Sequence, residues 1–536
     1  MEAFARLYTE LDETTSTRAK LAALKRYFNA VPAHDAAWAA YFLAGGRPRL
    51  AVSSKLMREA ATAVAGLPAW LFEECHLAVG DFAETVAHVL PPPVATTQAG
   101  LARWMRERVL PLRGLAPPAV VARLRDDWQQ LDWQGRFVFG KLCSGNLRVG
   151  VSRSLVTRAL AELAAIDPKL VAQRLVGYTG AERTPTGDEF RALLAPPGEH
   201  ERAGGRPYPF FLARPLAEPV ATLGSPDDWL VEWKWDGIRA QLVRRDAVTY
   251  VWSRGDELIT ERFPEMQALG DTLPDGTVLD GEIVALDDGD VAPFSLLSTR
   301  IGRKRLSPRI LAAAPVAYVA YDLLEAGGVD LRDVPQFARR ERLATLAAAL
   351  DPVRLRLSPL IERTDWDAYA ALRAQSRSRG VEGFMLKRRD AAYGVGRTGN
   401  AWWKWKVDPM TVDAVVVYAQ RGHGRRASLY TDYTFAVWDA RSGTPTLTPF
   451  AKAYTGLSDE EIAAVDRIVR RTTIEKFGPV RSVTPTLVFE LAFEGIQRST
   501  RHKSGIAVRF PRIVRWRTDK GVDEADTIEA LHALLR

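Results

Sequence analysis

In Glu232-Trp233-Lys234-Trp235-Asp236-Gly237-Ile238-Arg239 a lysine has a carboxylate two residues to either side. Side chains on a strand repeat every two residues, so Glu232, Lys234 and Asp236 are expected on one face, with Asp236-Gly237 marking a turn. A lysine so flanked is commonly half of a surface ion pair. The same pattern suits a lysine nucleophile, which attacks as the neutral amine, a form that nearby cations and a metal favour. Leu279-Asp280-Gly281-Glu282-Ile283 and Val381-Glu382-Gly383-Phe384-Met385-Leu386-Lys387 place more carboxylates beside apolar runs. Asp280-Gly281 alone reads as a hairpin turn, and each glutamate alone as solvated. Glu282 and Glu382 are also the residue type that Mg²⁺ uses, one or two carboxylates completed by phosphate oxygens. In Trp402-Trp403-Lys404-Trp405-Lys406 the alternation puts Lys404 and Lys406 on one face and Trp403 and Trp405 on the other. That predicts an edge strand with a wet side and an aromatic side, and two parallel ammonium groups suit a phosphate chain.

Three groups of elements must hold these residues. The first stretch is helical in texture. From Thr15 to Phe28, Leu21, Leu24 and Phe28 fall at helical spacing, Thr15 or Ser16 can cap the start, and Pro32 ends the run. Ala195-Pro196-Pro197-Gly198 and Ala203-Gly204-Gly205-Arg206-Pro207 mark a joint. Short apolar or alternating runs follow, Trp229 to Trp235, Val248 to Trp252, Val278 to Leu286 and Ala317 to Leu324, with helical patterns at Gln336 to Leu350 and Trp366 to Gln375. After Asp408-Pro409 come several short strands and one helix, Asp459 to Arg471, a content that suits a small barrel. The expected architecture is multidomain: an all-α domain over 1–205, an α+β domain over 206–407 and a C-terminal β-barrel over 408–536.

With 536 residues, 47% hydrophobic and 26% charged, the chain is neither disordered nor fibrous. Its two cysteines, Cys75 and Cys143, cannot build a four-Cys zinc site or a disulfide framework, and a reducing compartment is expected. The N-terminus predicts no secretory leader and no apolar stretch is long enough to span a membrane, so the cytoplasm is the expected location. Of the net charge of +8, the run from Arg498 to Lys520 supplies most: Arg498, Arg501, Lys503, Arg509, Arg512, Arg515, Arg517 and Lys520, opposed within it by Asp519 alone. Interleaved Ile506, Val508, Phe510, Ile513 and Trp516 make this a structured cationic segment, which favours phosphate or nucleic acid as partner.

In this order, the elements resemble the ATP-dependent DNA ligases of the covalent nucleotidyltransferase superfamily. Lys234-Trp235-Asp236-Gly237-Ile238-Arg239 resembles the nucleotidyl-lysine motif, and Ser253-Arg254-Gly255 the short motif after it. Asp280-Gly281-Glu282, Tyr321-Asp322-Leu323 and Glu382 to Lys387 resemble the next three, and Trp403-Lys404-Trp405-Lys406 the one closing the transferase domain. Arg509-Phe510-Pro511-Arg512 through Arg517-Thr518-Asp519-Lys520 resembles the last, which the family carries in an OB-fold. Upstream, Gly145-Asn146-Leu147-Arg148-Val149-Gly150 is similar to a segment of the family's helical DNA-binding domain, and the residues before it resemble that domain in texture only. Tyr321 stands where many members have Phe, a ring that still stacks; Trp235 and Trp405 are bulkier than common choices.

The resemblance implies sealing of nicks in duplex DNA through lysyl-AMP and an adenylylated 5′-phosphate, joining 3′-OH to 5′-phosphate with release of AMP and diphosphate, by a monomer serving DNA replication, repair or recombination. It implies Lys234 as nucleophile, ATP as AMP donor and Mg²⁺, or Mn²⁺, as metal. By the same likeness Glu232 takes the adenine amino group, Tyr321 stacks on the base and Lys387 lies near its other face or the α-phosphate. Arg239 and Arg254 touch ribose or phosphates, Glu282 the ribose hydroxyl or a metal, and Glu382 the metal. Lys404 and Lys406 clamp the α-phosphate, while Arg509, Arg512 and Lys520 orient pyrophosphate, with Asp408-Pro409 as a candidate hinge. The competing readings are the same chemistry on RNA, by an RNA ligase or a capping guanylyltransferase, and an idle OB-fold nucleic-acid-binding protein. The helical first third argues against the former and the intact lysine and glutamate set against the latter. An NAD-dependent ligase is disfavoured by the cysteine count. No further catalytic module or partner-recruiting extension is expected.

Overall fold

The computed structural model describes residues 1–145, 147, 149–198, 205–301, 303, 306–422, 426, 428–441 and 443–535. These gather into two compact units, one of residues 1–51, 98–111 and 145–407, the other of 52–97, 112–144 and 408–536. Before Arg214 every described element is a helix, as the 3.6-residue periodicity requires. Thr17–Ala30 shows why: the Ser16 hydroxyl accepts from the Ala19 amide at 3.3 Å, Leu21, Leu24 and Phe28 are buried, and Pro32 already caps the next helix, Ala33–Leu43. No described helix is long and apolar enough to cross a membrane.

The first unit holds strands β1 (Arg214–Pro215), β2 (Trp229–Trp233), β3 (Ile238–Arg245), β4 (Val248–Ser253), β5 (Thr277–Asp287), β6 (Asp290–Val291), β7 (Val316–Ala326), β8 (Val329–Asp330), β9 (Leu355–Leu357), β10 (Gly383–Arg388) and β11 (Trp402–Lys406). They form two sheets: β1-β11-β10-β2, and β4-β3-β5-β7-β8 with β6 and β9 alongside. In the first sheet Met385 is registered to Glu232 on one side and Lys404 on the other, and Lys387 to Leu230 and Trp402. The period of two therefore gives one face to Glu232, Met385, Lys387, Trp402, Lys404 and Lys406. The other face carries Trp229, Val231, Phe384, Leu386, Trp403 and Trp405, which pack with Trp366 and Tyr369 of helix Trp366–Arg373. β11 thus divides its lysines from Trp403 and Trp405 as its sequence predicts.

Three expectations need correction. β11 is not an edge strand: β10 pairs with one side of it and β1 with the other. β2 stops at Trp233, so the shared-face reading does not carry to Asp236. Asp280-Gly281-Glu282 is no hairpin turn but the middle of β5, paired to β3 and, with a register shift at Gly281, to β7. An interior Gly in a strand marks close approach: a Cβ at Gly281 would meet the Val319 carbonyl at 2.6 Å.

The second unit holds β12 (Met410–Arg421), β13 (Tyr430–Asp439), β14 (Thr446–Ala453), β15 (Thr473–Phe477), β16 (Val480–Val483), β17 (Val488–Phe493), β18 (Gly495–Arg498), β19 (Ile506–Arg509) and β20 (Arg512–Trp516). The order is β14-β13-β12-β16-β15, with β17 between β12 and β20, and β18 paired to β19. Val412, Val416, Phe435, Phe489 and Ile513 from these strands bury against Val465 and Val469 of helix Asp459–Thr472. That helix starts with a reciprocal cap between Ser458 and Glu461. Its buried Asp466 accepts from the Tyr430 amide at 2.9 Å and pairs with Arg470 at 2.7 Å. A second helix, Ile528–Ala533, closes the chain.

Candidate active site

Lys234 leaves the end of β2 but its main chain does not leave the sheet. Its amide donates to the Gly383 carbonyl and its carbonyl accepts from the Glu382 amide, both at 2.8 Å. This pairing sets the two side chains together, Lys234 Nζ at 2.5 Å from Glu382 Oε2, with Lys406 Nζ at 3.5 Å from the same oxygen. Only glycine serves at 383. Its φ is +129°, and a Cβ there would sit 2.3 Å from the Trp405 carbonyl oxygen. Gly237 is constrained likewise, since a Cβ would meet the Ile283 carbonyl at 2.3 Å and Glu282 Cγ at 2.8 Å. The glycines of both motifs thus bring the backbone of the Lys234 and Glu382 segments close to their neighbours.

The other sheet supplies Arg239 from β3, Glu282 from β5 and Tyr321 from β7. Glu282 is half-buried and faces the charges of Lys234, Arg239 and Arg254; burial pushes its carboxyl up to about 7 despite them. Arg239 is held by Asp280 through Nε at 3.1 Å and Nη2 at 2.7 Å, and the Tyr393 hydroxyl donates to the same Asp280 at 2.7 Å. Its guanidinium lies over the rings of Phe210, Tyr321 and Trp402. Arg254 is exposed in the turn after β4, its amide donating to the Arg239 carbonyl at 3.0 Å, and the same turn is pinned by an ion pair between Asp256 and Arg153 of helix Arg153–Ala164.

At the other end of the sheet face Glu232 is buried. Lys387 Nζ lies 2.7 Å from its Oε2, and Arg340 Nη1 lies 3.3 Å from its Oε1. Lys387 also donates to the Tyr321 carbonyl at 3.3 Å and sits over the rings of Tyr321 and Trp402, at 4.3 and 4.6 Å. Burial pulls its ammonium below the ordinary lysine range, against Glu232. Met385 and Tyr321 both pack against the buried cluster that holds Trp402. Burial, then the charges of Lys406, Lys234 and Arg397, hold the Lys404 ammonium down as well. The site therefore runs from an aromatic, buried acid–base cluster to Lys234, Lys404, Lys406 and Glu382, which Glu282 faces from the other sheet. A flat ring would be gripped at the first end and a phosphate at the second.

Sequence reasoning missed the supports. Helix Gln336–Ala348 turns Arg339 and Arg340 inward: Arg339 is fully buried on Asp322, at 2.8 and 2.9 Å, and Arg340 reaches Glu232 and the Ser358 carbonyl. In the sequence they are two arginines of an amphipathic helix, and only a count of the helix's apolar face would hint at their burial. Tyr393, and Ser358, which accepts from the Trp235 indole at 3.2 Å, carry no sequence signal of their own.

The expected residues do not all fall in one unit. Arg509, Arg512 and Lys520 belong to the second. There the cationic run is less bare than its sequence implies. Arg512 pairs with Glu494 at 2.9 Å, Arg515 with Glu490 at 2.7 Å, and Arg517 and Lys520 share Asp413 at 2.7 and 2.6 Å. Neighbouring strands thus add carboxylates to Asp519, and Arg509 lies over the exposed Phe510 ring. Asn146 and Arg148 of the upstream motif lie outside the described residues.

Family models described as ATP dependent DNA ligase domain, ATP dependent DNA ligase C terminal region and DNA ligase N terminus match residues 211–406, 426–520 and 1–161. A probable DNA ligase of Streptomyces avermitilis is 32% identical over 538 residues, covering 99% of this chain and 98% of that protein. The chain belongs to the ATP-dependent DNA ligase family, a family of enzymes. A probable DNA ligase of Koribacter versatilis is 37% identical over 359 residues, and one of Opitutus terrae is 37% identical over 395 residues. The matched part spans 60% and 37% of those two proteins. A solved structure named Pmar-Lig_PreS3 covers 96% of this chain and 99% of its own, with a TM-score of 0.60 at 16% identity, a likeness of fold.

Proposed function

We propose that this chain seals nicks in duplex DNA, using ATP, through an adenylate carried on Lys234. The observation that carries the reading is that Lys234 and Lys406 both reach Glu382, at the phosphate end of a face whose other end is an aromatic slot. In the first step Lys234 Nζ bonds to the α-phosphorus of ATP as the bond to the pyrophosphate oxygen breaks. Glu382, already within hydrogen-bonding distance, is placed to take the proton that Nζ must lose. A 5′-phosphate oxygen at the nick then takes the AMP, freeing the lysine, and the 3′-hydroxyl displaces AMP to close the strand. The phosphoramidate conserves the anhydride's free energy between steps.

Tyr321 and Met385 bracket the base, and Glu232 accepts from the adenine amino group with lone pairs that Lys387 and Arg340 leave over. Arg239, with Nε and Nη2 spent on Asp280, offers Nη1 to the ribose from a fixed position, while Arg254 is exposed and reaches phosphate. Lys404 and Lys406 offset the charge growing on the α-phosphate. Among the described residues no cluster of three His, Cys, Asp or Glu forms a metal cage. Glu282 and Glu382 nevertheless fit Mg²⁺ or Mn²⁺, which take few carboxylates when phosphate oxygens complete the shell. A bound divalent cation would further neutralise the transferring phosphoryl group.

In this reading the second unit's strands form an OB-fold, and Arg509, Arg512 and Lys520 orient the pyrophosphate. Residues 1–205, 206–407 and 408–536 act as DNA-binding, adenylation and OB-fold domains of a cytoplasmic monomer. A defined nicked duplex incubated in parallel with ATP, GTP and NAD tests the proposal: sealing with ATP is expected. Sealing of nicked RNA in preference to DNA, or none with ATP, would overturn it.

A further inference from the structure

On the far side of the four-stranded sheet from Lys234, against edge strand β1, a cavity of about 680 Å³ opens between Arg214, Glu218, Arg388, Arg397, Asn400 and Trp403. The volume lies within the roughly 300–1,000 Å³ of small-molecule sites and far exceeds one phosphate group. Its cations outnumber its single carboxylate, and two are little engaged. The side-chain partner of Arg214 is the neutral amide oxygen of Asn400, at 2.8 Å. Arg397 has no hydrogen-bond or ion-pair partner among the described residues, while Arg388 is held by Asp390 at 2.9 Å. The Trp403 indole is half-buried and fixed by its own Nε1 donating to the Asn400 carbonyl at 3.0 Å, so its ring is a preset platform. No residue of the nucleotide face lines this cavity, yet the two are neighbours. Trp403 precedes Lys404 on β11, Pro215 in the cavity wall is registered to Lys404, and the charge of Arg397 is felt at Lys404.

We propose that this cavity holds one phosphodiester segment of the DNA strand flanking the nick, with Arg214 and Arg397 on phosphate and Trp403 under a base. The inference rests on the ligase reading. Guanidinium groups around an indole serve any base, because every base has a π-face and every link a phosphate. The open rim and the continuity with the Lys404 strand suit a chain that passes through better than a free nucleotide.

Two measurements on the full chain test this. Hydrogen exchange of backbone amides 214–223 should slow on adding nicked duplex but not on adding ATP alone. The double substitution Arg214→Ala with Arg397→Ala should weaken nicked-duplex binding about tenfold or more and flatten the log–log salt slope by about 1.8, two phosphate contacts at about 0.9 each. Arg214→Lys with Arg397→Lys should restore most of the slope. Lysyl-adenylate formation in the same samples reads the ATP reaction separately. Wild-type affinity and slope in the alanine variant, or protection by ATP rather than DNA, would overturn the cavity assignment while leaving the ligase reading intact. A wild-type chain that neither forms adenylate nor binds the nick would instead break the ligase reading.

Discussion

Lys404 illustrates how a residue's surroundings become a rate. Burial and three neighbouring cations disfavour its charged form, so in the free enzyme it loses its proton at lower pH than an ordinary lysine, near 10.4. The charge it offers the α-phosphate is therefore lost as pH rises, earlier than that of an ordinary lysine. The kcat/KM for ATP in adenylate formation, which reports the free enzyme, should fall on an alkaline limb below the ordinary lysine range. Lys404→Arg, whose guanidinium stays charged, should remove that limb; a limb unchanged in this variant would show that another group titrates. Residues of this kind were legible in sequence because their types stand at strand spacing beside one another. Arg340 and Tyr393 were not, because each meets its carboxylate partner across more than a hundred residues of chain.

At the scale of elements, the strands and helices were largely legible, since period-two and 3.6-residue patterns are local. Helix Asp459–Thr472 and β11 lie where their residues predict. What failed was the reading of Asp-Gly in β5 as a turn, because a glycine needed for close approach between strands looks in sequence like one needed for a bend. Gly383 is the sharper case. Its φ of +129° and the Trp405 carbonyl 2.3 Å from any Cβ let the Lys234 segment pair with Glu382. Gly383→Ala should cost about 1–3 kcal/mol in stability, seen as a lowered Tm, and displace the lysine enough to slow adenylate formation on the order of a hundredfold. Unaltered adenylation in a folded Gly383→Ala protein would refute the positioning role.

Across the whole molecule, charge was the least legible property. The run from Arg498 to Lys520 looked almost unopposed, yet Asp413 and Glu490 come to it from β12 and β17 and Glu494 from the bend after β17, because antiparallel pairing unites residues distant in sequence. The two compact units also cut the helical first third in a way no local composition shift announces. The proposed chemistry nonetheless stands on one bond, from Lys234 Nζ to phosphorus, and intact-mass and peptide mass spectrometry after incubation with ATP and Mg²⁺ tests it most directly. One added adenylate, located on Lys234 and absent from Lys234→Ala, is the result expected. An unmodified protein, or an adenylate retained in Lys234→Ala, would contradict it.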